Sequence, residues 1–308
     1  MPGAATFPKG PLQMDIILSG QLLFSALVSG ALYALVALGL NLVYGTLRLL
    51  NIAHGELVMI GAYTAFWMMT LFAVPPLISL PLAALLCAGL GWLLYFGIFR
   101  RLLRNPDLAA RVEANSLILF YGISVILQNT TALMFTSSAR GYAYLGNVIT
   151  VGEVSMTGNR LLSLGVAGTL TIGMLLFLRF HIFGWSLRAV IERKEAARVV
   201  GVNVDQVQVI TICAGFAVAG VAGVLVSMTE QITPFMGFPF TITAFVVIIV
   251  GGLGNIPSGI LAGFALGFVE TYGIALTSAS YRSILIYGLF VTVLLIRPEG
   301  LFSRAVKS

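Results

Sequence analysis

The chain has 308 residues, of which 59% are hydrophobic and only 9% charged, with a mean hydropathy of +1.02. So few charges cannot cover a water-soluble globule, which leaves an integral membrane protein. The net charge of +6 comes from Lys and Arg interspersed with Asp and Glu in short loops, with no basic tail; it speaks for orientation in a membrane and against nucleic acid.

Apolar runs long enough to cross a hydrocarbon core of roughly 30 Å recur along nearly the whole chain. They lack the alternation of barrel strands, and unpaired backbone groups are costly in lipid, so the spans are expected to be helices. The opening MPGAATFPKGPLQM has one Lys and no cleavage site, so the first run is expected to stay as a helix. Spans are expected near 16–44, 56–73, 77–99, 116–136, 161–180, 207–229, 240–251, 257–276 and 283–296. Eight or nine crossings result, depending on the treatment of the region around Asn51; eight put the N-terminus inside and nine put it outside. The fold class is thus an all-α integral membrane protein, one polytopic bundle of about 8–9 transmembrane helices with interrupted helices, forming a single domain over 1–308.

The loop from Arg100 to Arg111 carries four Arg, and Arg297, Arg304 and Lys307 follow the last span. Together with the charged segment discussed below, these regions are expected on the cytoplasmic side. The connections 73–76, 137–160 and 229–239 hold few or no basic residues and are expected outside. Cys87 and Cys213 lie in apolar runs and behave as small hydrophobes, with no disulfide framework. Gly259, Gly263 and Gly267 share one helix face, a close-packing pattern that Gly215, Gly220 and Gly223 are expected to serve as well.

Several polar residues interrupt the apolar runs. Asn51-Ile52-Ala53-His54-Gly55 and Asn255-Ile256-Pro257-Ser258-Gly259 share the pattern N-I-x-x-G, a hint of an internal repeat. Asn255 followed by Pro257 suits a helix start. Interrupted segments in the two halves of a transporter often mark the path, with helix N-termini facing anionic groups. Two readings stand for this pair, a path element and an ordinary surface turn. His54 and Glu56, two residues apart, splay on a helix and suit interfacial hydrogen bonding better than metal. Glu270 sits inside an apolar span, where it either meets a substrate ammonium or braces another helix. The path candidates are therefore Asn41, Tyr44, Asn51, His54, Gly55, Glu56, Gly252, Gly254, Asn255 and Glu270; Gln128 and Asn129 are similar, with interhelical hydrogen bonding as the other role.

The segment RAVIERKEAARVVGVNVDQ, from Arg188 to Gln206, gathers seven charges between two spans. Its helix formers, with Ala189, Ala196 and Val200 along one side, predict a short amphipathic cytoplasmic helix stopped at Gly201, and Asp205 with Gln208 resembles a cap for the next span. A solvated loop needs no Ala pair, no terminal Gly and no charges of both signs; a helix that docks in a groove of a soluble partner does.

EAARVVGVN, Glu195 to Asn203, resembles the cytoplasmic coupling segment of the permease subunits of Liv-type importers, the branched-chain or hydrophobic amino-acid uptake family of ATP-binding-cassette (ABC) transporters. GLNLVYGTLRLLNIAHGELVMIGAY (Gly39 to Tyr63), AGFAVAGVAGVL, GGLGNIPSGILAG and the terminal RPEGLF are similar to the same family. The resemblance implies a bacterial inner-membrane, multi-pass permease that forms the translocation path for branched-chain or related amino acids. It implies a coupling segment over about 186–204, with Arg188, Glu192, Glu195, Ala196, Ala197 and Gly201 meeting an ATPase. The implied partners are two cytosolic ABC ATPase subunits, a second homologous permease and a periplasmic binding protein, with ATP and Mg on the ATPases and no cofactor on this chain. No G-x-x-x-x-G-K-[ST] loop occurs, so this chain is expected to hydrolyse nothing. An ion-coupled carrier, an importer of amides, urea or aromatic acids with the same architecture, and an intramembrane enzyme are the alternatives. The enzyme lacks H-E-x-x-H and G-x-S-x-G motifs.

Overall fold

The computed structural model describes residues 19–105, 108, 111–152, 154–297 and 300–301. The expected start of the first span at Ile16, and Arg304 and Lys307, lie outside the described residues. Helix α1 spans Gly20–Leu47 and α2 spans His54–Phe72. Helix α3, Pro76–Leu94, runs on through a π turn at Tyr95–Phe99 into Arg100–Arg104. After α4, Val112–Phe135, a hairpin of β1 (Val148–Val151) and β2 (Val154–Thr157) pairs antiparallel, with Val148 opposite Thr157. Then follow α5 (Gly158–Phe180), α6 (Ile182–Glu192), α7 (Lys194–Val199) and α8 (Val204–Ser227). The last three are α9 (Gly237–Gly251), α10 (Ile256–Leu276) and α11 (Arg282–Ile296). Among the described residues eight helices are long and apolar enough to cross a membrane, and the shorter α9 is a ninth apolar segment.

Burial sorts these helices into an inner and an outer set. The most apolar stretches of α1 and α8 are 72% and 67% buried, whereas those of α4 and α11 are 11% buried. Helices apolar on every side fit either a protein interior or lipid, so it is the small residues that select the inner set. A Cβ on Gly263 would lie 2.7 Å from the Ala34 backbone, one on Gly267 2.4 Å from Gly30, and one on Gly215 2.5 to 2.6 Å from Gly39, counting either way. Glycine thus brings α10 and α8 into backbone contact with α1, while Gly61 meets Gly220 and Gly223 meets Val58 to seat α2 on α8.

The two ends of the bundle separate by charge. Arg104, at the end of α3, pairs with Asp205 at the start of α8 at 2.6 Å; this Arg-rich end is cytoplasmic by the positive-inside rule. The hairpin lies at the other end, where the Ser155 amide donates to Gln21 Oε1 of α1 at 3.0 Å. Helix α1 therefore begins on the outward face, and nine segments, α9 included, bring α11 back to the cytoplasm.

Two local expectations change. The single amphipathic helix is split in two, because Arg193 adopts extended backbone angles (φ −150°, ψ 106°) between α6 and α7. The cap of α8 is Asn203, whose Oδ1 accepts from the Gln206 amide at 3.1 Å; Asp205 is occupied by Arg104 instead. Gly201 does stop the preceding helix, at φ +88°.

Gly61→Ala would place its Cβ 1.9 Å from the Gly220 carbonyl oxygen, whereas a Cβ at Gly89 of α3 meets nothing within 4 Å. Gly61→Ala should cost about 1–3 kcal/mol of stability, read as a lowered thermal midpoint in detergent, and Gly89→Ala should not lower it.

Candidate functional site

Helix α2 starts half-way along the bundle. His54 Nε2 donates to the Val36 carbonyl of α1 at 2.9 Å, beside Gly39, which itself faces Gly215. At 1.5 Å per residue Gly215 stands about 16 Å along α8 from its cytoplasmic start. Residues 48–53 therefore turn back into the bundle after α1, and Leu50 N finds Ser116 Oγ of α4 at 3.0 Å.

Helix α9 starts at the same depth. A Cβ on Gly55 would fall 1.8 Å from the Gly237 carbonyl oxygen, so the N-terminal ends of α2 and α9 touch. Thr241 of α9 joins them: its Oγ1 accepts from the Gly55 amide at 2.8 Å and donates to the Ile52 carbonyl at 3.0 Å. Glu56, fully buried, completes the junction. Its Oε1 accepts from Ser124 Oγ at 3.1 Å and Gln128 Nε2 at 2.6 Å, both on α4, and its Oε2 lies against Gly237. A carboxylate at a helix N-terminus complements the free amides and the dipole there. Glu56 thus already fills the anionic position that two meeting helix starts create. Asn51, His54 Nδ1 and Glu56 Oε2 are buried without hydrogen-bond partners among the described residues. His54 and Glu56 are held by different partners, on α1 and α4.

The second half of the N-I-x-x-G pair lies elsewhere. Asn255 caps α10 by accepting from Ser258 N at 3.3 Å, at the cytoplasmic end of the bundle. Asn41 of α1 pins this turn, accepting from Gly254 N at 2.8 Å and donating to the Asn255 carbonyl at 2.9 Å. Gly252 and Gly254 take φ of +99° and +82°, which favour glycine. Asn51 makes no such side-chain cap for α2, so the two five-residue patterns are not equivalent. Tyr44, near the cytoplasmic end of α1, donates to Glu113 Oε1 at 3.0 Å and carries Arg48 over its ring.

At the outward end Glu270 pairs with Arg282 Nε at 2.5 Å, and Arg282 also donates to Tyr33 Oη at 2.9 Å. The bracing role is therefore real, α10 to α11 and on to α1. Glu230 stands nearby, with its side chain reaching solvent; the protein packed around it still pushes its carboxyl above the usual range, the Arg282 charge pulls it down, Glu270 pushes it up and Arg160 pulls it down.

On the cytoplasmic side α6 and α7 are anchored from within. Leu187, Val190 and Ala197 are buried with Val204 and Val207 of α8 and Leu178 of α5, and Arg188 donates to the Leu178 and Arg179 carbonyls at the end of α5. Ala197 thus faces the protein. Glu192, Glu195, Ala196 and Gly201 are exposed, with Val199 and Val200 forming an apolar tip at 87% and 76% exposure. Lys194 is held below the usual lysine range by burial and then by Arg198.

A family profile described as "Branched-chain amino acid transport system / permease component" matches residues 22–294, nearly the whole described bundle. The chain belongs to this family. It is a multi-pass permease subunit of the inner membrane, of the ABC importer class. It is 34% identical over 294 residues to the high-affinity branched-chain amino acid transport system permease protein BraD of Pseudomonas aeruginosa, covering 92% of this chain and 95% of BraD. LivH of Escherichia coli, a permease protein of the same description, is 30% identical over 299 residues, at 92% and 95% coverage. LivM of Escherichia coli is 28% identical over 292 residues, 88% of this chain and 67% of LivM. No solved structure matches the chain.

Asn41→Ala, which strips partners from Gly254 N and the Asn255 carbonyl, should cost about 1–3 kcal/mol. Asn51→Ala should cost less, having no hydrogen bond to lose; thermal unfolding of both in detergent compares them.

Proposed function

We propose that this permease forms one half of the translocation path for branched-chain or related amino acids. Two cytosolic ATPase subunits would drive it, a periplasmic binding protein would deliver ligand, and a second homologous permease would complete the path. Support for the substrate comes from the names of BraD, LivH and LivM, permease proteins of branched-chain amino acid transport systems. Support for a non-identical second permease comes from the likeness to both LivH and LivM of one organism. ATP and Mg belong to the ATPase subunits in this reading, and this chain contributes no catalytic group.

One observation carries the coupling. The α6–α7 pair presents an exposed apolar tip, Val199 and Val200, flanked by Glu192, Glu195 and Ala196, yet is fixed from behind to α5 and α8. Such a pad suits a groove on a soluble partner, and a push on it travels straight into two spans. Ala197, on the buried side, and Arg188, whose guanidinium holds the end of α5, transmit that movement to the spans. The ion-coupled carrier gains Glu56 as a second carboxylate at membrane depth, but Glu56 is already committed to Ser124, Gln128 and the α9 start.

Ala196→Arg and Val199→Asp alter only the exposed face, so both proteins should insert in normal amounts. Each should lower co-purifying ATPase and amino-acid uptake about tenfold or more. Unchanged co-purification and uptake in both variants would remove the docking role from this helix pair.

A further inference from the structure

At the outward end a cavity of about 410 Å³ opens between the first turns of α1, the last turns of α10, Thr229–Glu230 and Arg160 at the start of α5. Its wall combines Leu22, Val28, Leu32 and Ile274 with the charged Glu230, Glu270 and Arg160. The ion pairs among the described residues are Arg104–Asp205 and Arg282–Glu270, so Glu230 and Arg160 are not spent on each other. Glu270 is 5% exposed; Arg282 engages its Oε1, and its Oε2 is buried with no hydrogen-bond partner among the described residues. A buried carboxylate oxygen left without a donor is costly. Glu270 is itself one of the residues that line the cavity, so its carboxylate acts on a cation that enters.

We propose that this cavity is a receiving site for a zwitterionic amino acid with an aliphatic side chain. It rests on the transport reading above. The ammonium sits between Glu230 and Glu270, the carboxylate turns to Arg160, and the side chain lies on Leu22, Val28 and Ile274. The volume is within the range of about 300–1,000 Å³ usual for small-molecule sites, and an apolar wall with a few convergent polar groups is their usual composition. The pair of arginines divides the work: Arg282 holds Glu270 in place, and Arg160 is left to meet the ligand. The deep junction offers no such place, because Glu56 occupies the anionic position there. Recognition of the charged ends therefore belongs to the outward mouth.

The test uses the complete importer with its ATPase and binding protein in proteoliposomes, with labelled L-leucine as the probe. Glu230→Gln and Arg160→Gln should each lower uptake about tenfold or more, while ATP turnover stimulated by the leucine-loaded binding protein stays at the wild-type rate. Glu230→Asp and Arg160→Lys should restore most of the uptake. Both side chains are exposed and outside the ion pairs, so assembly should survive. Wild-type uptake that Glu230→Gln and Arg160→Gln leave unchanged overturns the site and leaves the transport reading intact. Uptake and ATP turnover lost together in all four variants mark a folding or docking role and also overturn the site. A wild-type complex that moves no branched-chain amino acid overturns the reading and the site together.

Discussion

A helix that begins in the middle of a membrane has its first amides far from water, and each must find a partner inside the protein. Two helices of this chain, α2 and α9, begin that way, and the bundle is arranged around satisfying them. They are placed tip to tip, so Thr241 serves both, and Glu56 brings a negative charge to the shared positive end. The contact is possible only because Gly55 and Gly237 have no side chains. Ser124 and Gln128 then tie α4, otherwise a peripheral helix, to the same point.

From that junction two rigid routes lead to the cytoplasmic face. Helix α1 carries one, from Val36 beneath His54 to Asn41, which grips the turn between α9 and α10. Helix α8 carries the other, from Gly215 against Gly39 to Val204 and Val207, where α6 and α7 are seated. The routes touch along their length through glycine, so a displacement of the α6–α7 pad cannot be absorbed by loose side chains. It must shift α5 and α8 against α1, at the level where α2 and α9 meet.

Much of this was legible in the sequence. Apolar runs located all nine segments, Arg placement oriented them, and the Gly259, Gly263, Gly267 spacing foretold the α10–α1 contact. The EAARVVGVN segment marked the cytoplasmic pad, although the break at Arg193 has no Gly or Pro to announce it. The deep junction was half-read. His54, Gly55 and Glu56 stand out in the sequence, but the pattern shared with Asn255–Gly259 hints at a repeat and says nothing of which residues they touch. The true partner, Gly237 to Thr241, begins inside the apolar, uncharged stretch ITPFMGFP, which reads equally as an outward loop. Composition reports which residues avoid water and not how deep a chain reversal reaches. Likewise Glu270 was conspicuous as a lone carboxylate, while Arg282 and Glu230, from separate parts of the chain, acquire meaning only beside it.

The inner position of α1 also bears on how the bundle comes together. Helix α1 leaves the ribosome well before the helices that bury it, α8 and α10, which come from the last third of the chain. Until they arrive, its glycine-notched faces and Asn41 lie against lipid or transient neighbours. The core of this protein is therefore a late product of biogenesis, and α1 waits for its final surroundings until α10 has been made.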